Sequence, residues 1–400
     1  MPIKRVPGHR ARPDVFAVLV SVVVLAGFGV AQATDATPAA GAQVAATATA
    51  TIDGAFASAI LVDATTGLVL AANNPDAVRQ PASMLKMLTE LIVLERIEQG
   101  DIALDDTVTV SARASNMGGS QVYLAHRERF SVEDLLRAVA IHSANDAAVA
   151  LAEHVAGSVE AFVDLMNDRA RRLGMDRSEF HSVHGLPPGR GQKPDLTSAR
   201  DMATLGRELL EHPRALEWSA IATAPFRNGE FLMYNPNKLV GKYRGLDGLK
   251  TGYHGQAGFC VTATAVQQGV RLLSVVMGCP SDQARATETT RLLSYGFNLY
   301  RPVMVVEAEG LLAEPVAVRG GKAGEVPAMY AASLEVMVPR DRHDDVALRF
   351  ALDAPLDAPV ARGEKIGEAV ASLDGYELGR VDILAVETVE EGSWFHRLFR

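Results

Sequence analysis

Three short stretches of the sequence carry residue types that together could hydrolyse an amide. The first is Pro81-Ala-Ser83-Met-Leu-Lys86, in which Ser83 and Lys86 are three residues apart and share one face of a helix. The flanking residues are apolar nearly all round, which predicts a buried helix. Burial disfavours a charged amine, so Lys86 is predicted to be a general base beside a Ser83 nucleophile. Alone, the pair is a weak signal, because a Ser83 helix cap and a Lys86 amine that reaches solvent would give the same spacing.

The second stretch, His142-Ser143-Ala-Asn145, falls at a predicted break between two helices. Side chains at such a break can point into a cleft, where Ser143 and Asn145 would contact a ligand. Both residue types are also common helix caps, so this stretch alone does not decide between binding and capping.

The third stretch runs from Asp247 to Tyr253 and contains Lys250-Thr251-Gly252, directly before a predicted strand at 258–266. It offers a cation, a hydroxyl group and a glycine that lets a ligand approach the backbone closely. Alone, it is also compatible with a surface turn that carries a solvated lysine.

Taken in order, the three stretches are S-x-x-K, S-x-N and K-T-G, which is the motif set of penicillin-binding proteins and class A β-lactamases, there with S-D-N in the middle. From about residue 52 to the C-terminus the chain resembles the serine D-alanyl-D-alanine carboxypeptidases, the low-molecular-mass penicillin-binding proteins. Further stretches that look like this family are 182–186, 197–202, 246–252, 257–259 and 292–297.

The resemblance implies a role for each motif residue. Ser83 would attack the carbonyl of a D-Ala-D-Ala bond, and Lys86 would take its proton. Ser143 would relay a proton to the leaving group, and Asn145 would bond the substrate amide. Hydrolysis would then proceed through an acyl-enzyme on Ser83.

The K-T-G stretch would bind the end of the substrate. The resemblance implies that Lys250 tunes the cleft electrostatically and that Thr251, together with Arg285, faces the terminal carboxylate. Gly252 would keep the strand edge open, and the backbone N–H groups of Ser83 and Tyr253 would form the oxyanion hole. The implied substrate is a peptidoglycan stem peptide, and β-lactam antibiotics would acylate Ser83 as inhibitors.

Two positions depart from the family pattern. After Lys-Thr-Gly the family often has Thr and an acidic residue, whereas His254-Gly255-Gln256 follow Tyr253 here. Pro236 stands where some members carry a basic residue, which weakens any claim that Arg285 has a cationic partner.

Around the motifs, the pattern predicts an α+β fold. Hairpins are expected at 57–73 and 258–278, with a helical middle between them, so one antiparallel sheet with packed helices and a helical lobe follows. The predicted helices are 82–99, one starting at Ser131, 145–155, 161–173, 199–210 and 287–299. After Arg301, strands are predicted at 316–319, 334–338, 347–352 and 381–386, which indicates a small all-β domain.

The predicted domain order is a signal peptide (1–33), a flexible Ala/Thr-rich leader (34–51), the transpeptidase-like catalytic domain (52–300), a β-sandwich-like domain (301–390) and a short amphipathic tail (391–400). Basic residues, an apolar run and Ala31-Gln-Ala33 predict export to the periplasm or the outer face of the cytoplasmic membrane. Residues 394–400 place aromatic and apolar side chains on one helical face, which suggests peripheral membrane contact, a docked end or a frayed tail.

Composition excludes other classes. The formal net charge of −9 argues against nucleic acid as a partner, and two cysteines exclude a Cys-based zinc site. His142, His184 and His254 lack a metal-ligand spacing, so no metal and no cofactor are expected. A Cys260–Cys279 disulfide stays open. The alternatives to a carboxypeptidase are a DD-endopeptidase, a β-lactamase without its usual glutamate tract, and a non-catalytic β-lactam-binding wall or sensor protein.

Overall fold

The computed structural model describes residues 50–392, which form two compact units, the first ending at Leu299 and the second beginning at Tyr300. The predicted signal peptide, residues 34–49 of the predicted leader and residues 393–400 of the predicted amphipathic tail lie outside the described residues. Ala50 and Thr51, which the sequence assigns to the leader, instead form a short strand that pairs with residues 71 and 72. No helix of residues 50–392 is long and apolar enough to cross a membrane.

The described part of the first unit contains ten strands, which are β1 (Ala50–Thr51), β2 (Ser58–Asp63), β3 (Val69–Asn73), β4 (Thr107–Thr109), β5 (Arg129–Ser131), β6 (Thr223–Phe226), β7 (Phe231–Tyr234), β8 (Leu246–His254), β9 (Gly258–Gln267) and β10 (Val270–Cys279). Six of them form one sheet in the order β1-β3-β2-β10-β9-β8, antiparallel except for β1 with β3. Both predicted hairpins are therefore confirmed, and they meet where β2 pairs with β10.

The helices of this unit are α1 (Lys86–Glu98), α2 (Ala112–Ser115), α3 (Val132–His142), α4 (Asn145–Ala156), α5 (Val159–Arg172), α6 (Ala199–Leu210), α7 (Pro213–Ser219) and α8 (Asp282–Leu299). Serine side chains accept a hydrogen bond from the first turn of α2, α3, α5 and α6, at Ser111, Ser131, Ser158 and Ser198. Three of these caps begin predicted helices, and the predicted helix positions are confirmed. The exception is α8, which begins five residues before the predicted 287.

Helices cover both faces of the large sheet, which explains why β9 and β10 are apolar without alternation. Gly206 of α6 lies against Leu273, whereas Gly296 of α8 lies against Leu272. Adjacent residues of a strand point to opposite faces, so α6 and α8 pack on opposite sides of the sheet. The edge strand β8 packs against a 3-10 helix, Ala82–Leu85, that leads into α1.

The described part of the second unit is all β: β11 (Tyr300–Val306), β12 (Val316–Arg319), β13 (Glu325–Val326), β14 (Ala328–Tyr330), β15 (Leu334–Pro339), β16 (Ala347–Leu352), β17 (Leu356–Asp357), β18 (Lys365–Leu373) and β19 (Tyr376–Ala385). Its largest sheet has the order β14-β19-β18-β16, and its buried cluster is apolar. The four predicted strands are present, and β19 begins earlier than predicted. The strands β11, β13, β14, β17 and β18 were not predicted.

The two cysteines are both buried and free. An irregularity between Val276 and Cys279 shifts the register of the β9–β10 pair, so that Cys279 lies opposite Phe259.

Candidate active site

Ser83 and Lys86 meet at the junction of the 3-10 helix and α1. In a 3-10 turn, residues i and i+3 eclipse each other, so the spacing that suggested a shared helical face places hydroxyl and amine together. Lys86 Nζ donates a hydrogen bond to Ser83 Oγ at 2.9 Å and another to the carbonyl oxygen of His184 at 2.8 Å. Ser83 does not cap the helix with its side chain, and Lys86 is completely buried instead of reaching solvent.

The environment of Lys86 favours the uncharged amine. Burial is the largest cause that holds the pKa of Lys86 well below its usual range, and the nearby Lys250 lowers this pKa further. The carboxylates of Asp146 and Asp195 act in the opposite direction but do not outweigh burial. A neutral amine within hydrogen-bond distance of a serine hydroxyl is the arrangement of a general base and its nucleophile.

Ser143 and Asn145 flank the break between α3 and α4. Ser143 ends α3 in the left-handed region at φ 63°, and Asn145 is the first residue of α4. Neither side chain caps α4, whose cap position is Ala144. Asn145 Nδ2 donates to Gly118 O at 2.6 Å, while its buried Oδ1 lacks a hydrogen-bond partner among the described residues. An amide with one free acceptor suits recognition of a substrate N–H.

The Lys250-Thr251-Gly252 stretch lies on the edge strand β8 and is buried, not a solvated surface turn. A Cβ at Gly252 would lie 2.5 Å from Pro81 O and 3.1 Å from Met84 N. The glycine therefore lets β8 approach the 3-10 helix that carries Ser83. Tyr253 points outward, 57% exposed, and stacks on Phe259 with ring centroids 4.0 Å apart.

Lys250 is a second perturbed amine in the cleft. Burial is the main cause that lowers its pKa to about 7, and the cationic Arg285 lowers it as well, whereas Glu90 raises it. Among residues 50–392, Lys250 Nζ donates only a long hydrogen bond, 3.4 Å, to the carbonyl oxygen of Thr251. This amine therefore titrates near neutral pH.

Arg285 of α8 is buried beside the same strands. Its guanidinium donates to the carbonyl oxygens of Cys260 and Pro236, each at 3.3 Å, and pairs with Asp282. Pro236 therefore contributes a backbone acceptor instead of a basic side chain. The sequence analysis missed the nearby cation, Lys238, which forms a 2.5 Å ion pair with the same Asp282.

Three further residues that sequence reasoning did not assign complete the cleft. The carbonyl of His184 accepts from Lys86, and Gly185, at φ 74°, packs so close that a Cβ would lie 2.1 Å from Ala82 O. The buried carboxylate of Asp146 accepts from the backbone N–H groups of Val122 and Leu124 and anchors the loop beside Asn145. His-Gly within 182–186 was the available signal for the first two.

Metal chemistry finds no geometric support in this region. Residues 50–392 contain no group of three or more His, Cys, Asp or Glu side chains that could hold a metal ion. His184 is partly buried, and desolvation by this burial is the largest cause that lowers its pKa to about 4, so its ring is neutral. The polar groups present are instead a serine hydroxyl bound to a buried amine and the side chains of Ser143 and Asn145.

Comparison with known proteins agrees with this geometry. Residues 43–281 match the model of the D-alanyl-D-alanine carboxypeptidase family, and residues 303–391 match the C-terminal domain of penicillin-binding protein 5. D-alanyl-D-alanine carboxypeptidase DacC of Escherichia coli is 34% identical over 349 residues, 85% of this chain and 86% of that protein.

Two solved structures are similar as well. Penicillin-binding protein 5 of Haemophilus influenzae is 32% identical with a TM-score of 0.64, covering 85% of this chain and 99% of that one. Penicillin-binding protein D2 of Listeria monocytogenes in its ampicillin-bound form is 30% identical with a TM-score of 0.56, covering 62% and 98%. The α+β chain with its all-β second unit therefore belongs to the D-alanyl-D-alanine carboxypeptidase family of serine peptidases, the low-molecular-mass penicillin-binding proteins.

Proposed function

We propose that this protein removes the terminal D-Ala of peptidoglycan stem peptides with Ser83 as nucleophile and Lys86 as general base. The observation that carries the proposal is the 2.9 Å hydrogen bond between Ser83 Oγ and a completely buried Lys86 amine. Ser83 Oγ attacks the carbonyl carbon of the D-Ala-D-Ala bond and gives its proton to Lys86 Nζ. The acyl bond to Ser83 forms first and the C–N bond to the leaving D-Ala then breaks.

Ser143 and Asn145 act on the leaving side of the reaction. Ser143, buried at the end of α3, relays the proton to the departing amine. The free Oδ1 of Asn145 accepts from the amide N–H of the stem peptide and so fixes its orientation. Water then hydrolyses the acyl-enzyme with Lys86 again as base.

The edge strand β8 recognises the substrate terminus. Lys250 and Thr251, with Arg285 behind them, supply positive charge and a hydroxyl donor for the terminal carboxylate. The backbone N–H groups of Ser83 and Tyr253 stabilise the oxyanion, and Gly252 brings these two donors together across the narrow gap to the 3-10 helix. A donor of this kind typically contributes about 3 kcal/mol to the transition state.

The same machinery explains acylation by β-lactams, which mimic the D-Ala-D-Ala end and leave Ser83 slowly. The ampicillin-bound relative from Listeria monocytogenes supports this part of the proposal. A non-catalytic sensor would be acylated as well, so labelling alone does not establish turnover.

The decisive experiment combines two measurements. Mass spectrometry after penicillin treatment is expected to locate the adduct on Ser83, and steady-state release of D-Ala from diacetyl-lysyl-D-alanyl-D-alanine is expected from the unmodified protein. Ser83→Ala should abolish both. An adduct on another residue would refute the assignment of the nucleophile, and stoichiometric labelling without D-Ala release would favour the sensor. Release of peptides from crosslinked muropeptides would add the endopeptidase activity.

We further propose that residues 52–300 carry the catalysis, that residues 1–33 direct export, and that the 394–400 segment makes a local contact with a membrane surface. Support for export and for the membrane contact comes from the sequence pattern alone. Loss of secretion on deleting 1–33, and loss of vesicle binding on deleting 394–400, are the outcomes that these proposals require.

A further inference from the structure

One buried carboxyl group near the cleft has no part in the chemistry described above. Glu90 lies on α1, four residues and therefore about one turn beyond Lys86, in a stretch that otherwise holds Thr89 and the apolar side chains of Met87, Leu88, Leu91 and Ile92. It is almost completely buried, and its Oε1 has no hydrogen-bond partner among the described residues. A lone acidic side chain in an apolar helix costs stability, so its presence requires a reason.

Lys250 is the group whose protonation Glu90 can influence. The helix α1 packs against the edge strand β8, which carries Lys250. Lys250 is also buried, and its amine donates only the long hydrogen bond to the Thr251 carbonyl. Two buried groups of opposite charge type thus lie on facing elements, one with an unused acceptor and one with unused donors.

We propose that Glu90 is a positioning residue that acts through Lys250: its buried carboxylate supplies the counter-charge that allows Lys250 to hold a proton inside the cleft at neutral pH. Lys250 then presents a cation to the terminal carboxylate of the substrate. The inference rests on the role proposed above for Lys250. Electrostatics agree in direction, because Glu90 is the group that raises the pKa of Lys250 against burial and Arg285.

Other groups around Glu90 do not replace Lys250 in this role. The elements packed against α1 are the 3-10 helix, α3, α4, α5, α6 and β8. Several of their charged or titratable groups already have partners, namely His142 with the backbone of Tyr234, Asp146 with Val122 and Leu124, Arg169 with Glu95 and Glu208, and Arg207 with Ala64 and Thr65. Lys250 is the charged group that acts on the pKa of Glu90. Lys86 is bound to Ser83 and His184.

The pKa shifts of the two groups oppose each other. Burial raises the pKa of Glu90, and Lys250 opposes this rise. Burial lowers the pKa of Lys250 and Glu90 opposes this fall, so each group favours the charged form of the other and the two titrate as one unit. Without the carboxyl group, burial and Arg285 act on Lys250 unopposed, and both disfavour its protonated form.

The test is the pH dependence of kcat/KM for D-Ala release by the full chain and by Glu90→Gln, with active protein counted by penicillin titration. The alkaline limb, where Lys250 loses its proton, is expected to move to lower pH by about one unit or more in Glu90→Gln. KM should rise more than kcat falls above pH 7. Glu90→Asp keeps a carboxylate farther away, so its limb should move less, and it serves as the test variant if Glu90→Gln does not fold.

A second background shows whether the effect passes through Lys250. In Lys250→Arg the cation stays charged at every pH in the range, so the alkaline limb that Lys250 produces should be absent, and adding Glu90→Gln should not shift the pH profile. An equal loss of kcat/KM by Glu90→Gln at every pH would overturn the inference, and so would a shift of the pH profile that persists in the Lys250→Arg background. Failure of the proposed function would look different, because the unmodified protein would then release no D-Ala or would carry its penicillin adduct away from Ser83.

Discussion

The two units of this chain differ in whether their perturbed charged side chains are buried or exposed. Around the cleft of the first unit, Lys86, Glu90 and Lys250 are buried, and burial is the largest cause of each pKa shift. In the second unit, charged groups such as Lys365 and Arg380 lie at the surface, where they pair with acidic neighbours. The buried cluster of that unit consists of apolar residues.

This difference shows where the molecule gives up stability for chemistry. Burial disfavours the protonated form of an amine. The uncharged amine adds nothing to packing, but proton transfer requires it. Surface ion pairs, by contrast, are well solvated and contribute little to stability. The contrast predicts that substitutions at the buried lysines change rates strongly, whereas equivalent substitutions in the second unit do not.

The largest expected effect is that of Lys86→Ala. Without the amine, Ser83 keeps its proton, so acylation by penicillin and release of D-Ala should both fall by about a hundredfold or more. Folding should persist, because the change removes a desolvated polar group from an apolar site; circular dichroism and a thermal melt check this. Ordinary turnover by a folded Lys86→Ala protein would show that another group is the base.

A smaller but still large loss is expected for Gly252→Ala. Its Cβ would lie 2.5 Å from Pro81 O, so β8 and the 3-10 helix must move apart and the oxyanion donors with them. We expect kcat to fall about tenfold to a hundredfold, with about 1–3 kcal/mol of overpacking in a denaturant titration. Gly255→Ala is the matched control, since no atom lies within 4 Å of its Cβ position. Equal effects at both glycines would contradict this account.

The positions of Ser83, Lys86 and Gly252 illustrate how much the sequence could predict. Apolar runs, helix-start residues such as Ser131 and closing glycines located most helices of the first unit, and turn residues located both hairpins, because these signals are local. The three motifs predicted one cleft because their order matched a known family. The joining of the two hairpins through β2 and β10 fits an antiparallel sheet but could not be derived from spacing.

What the sequence did not predict depends on contacts between distant segments. The acceptor of Lys86 is a backbone carbonyl at His184, which has no side-chain signature. The loop held by Asp146 and the ion pair of Lys238 with Asp282 join residues more than twenty positions apart. The 213–234 region, with α7 and the β6–β7 hairpin, was left unassigned because its short elements carry weak periodic signals.

The smallest predicted effect concerns stability and compares Lys250→Met with Lys365→Met. Because burial lowers the pKa of Lys250 to about 7, the unfolded chain binds one more proton than the folded one between about pH 7 and the usual lysine range near 10.4. Lys250 therefore destabilises the fold fully below pH 7, and this penalty fades as the pH rises. Lys250→Met should gain at least about 1.4 kcal/mol at pH 7 relative to pH 10.

Lys365 provides the matched case in the second unit. Its pairing with Asp382 and Glu368 raises its pKa, so Lys365 stays protonated in both states from pH 7 to 10. Its replacement by Met should therefore shift stability equally at every pH in that range, as denaturant titrations followed by hydrogen exchange in each unit would show. A pH-dependent stability change in Lys365→Met, or a pH-independent one in Lys250→Met, would contradict the claim that burial distinguishes these two lysines. The slope of stability with pH reports the proton balance, whereas the loss of a contact changes stability equally at every pH.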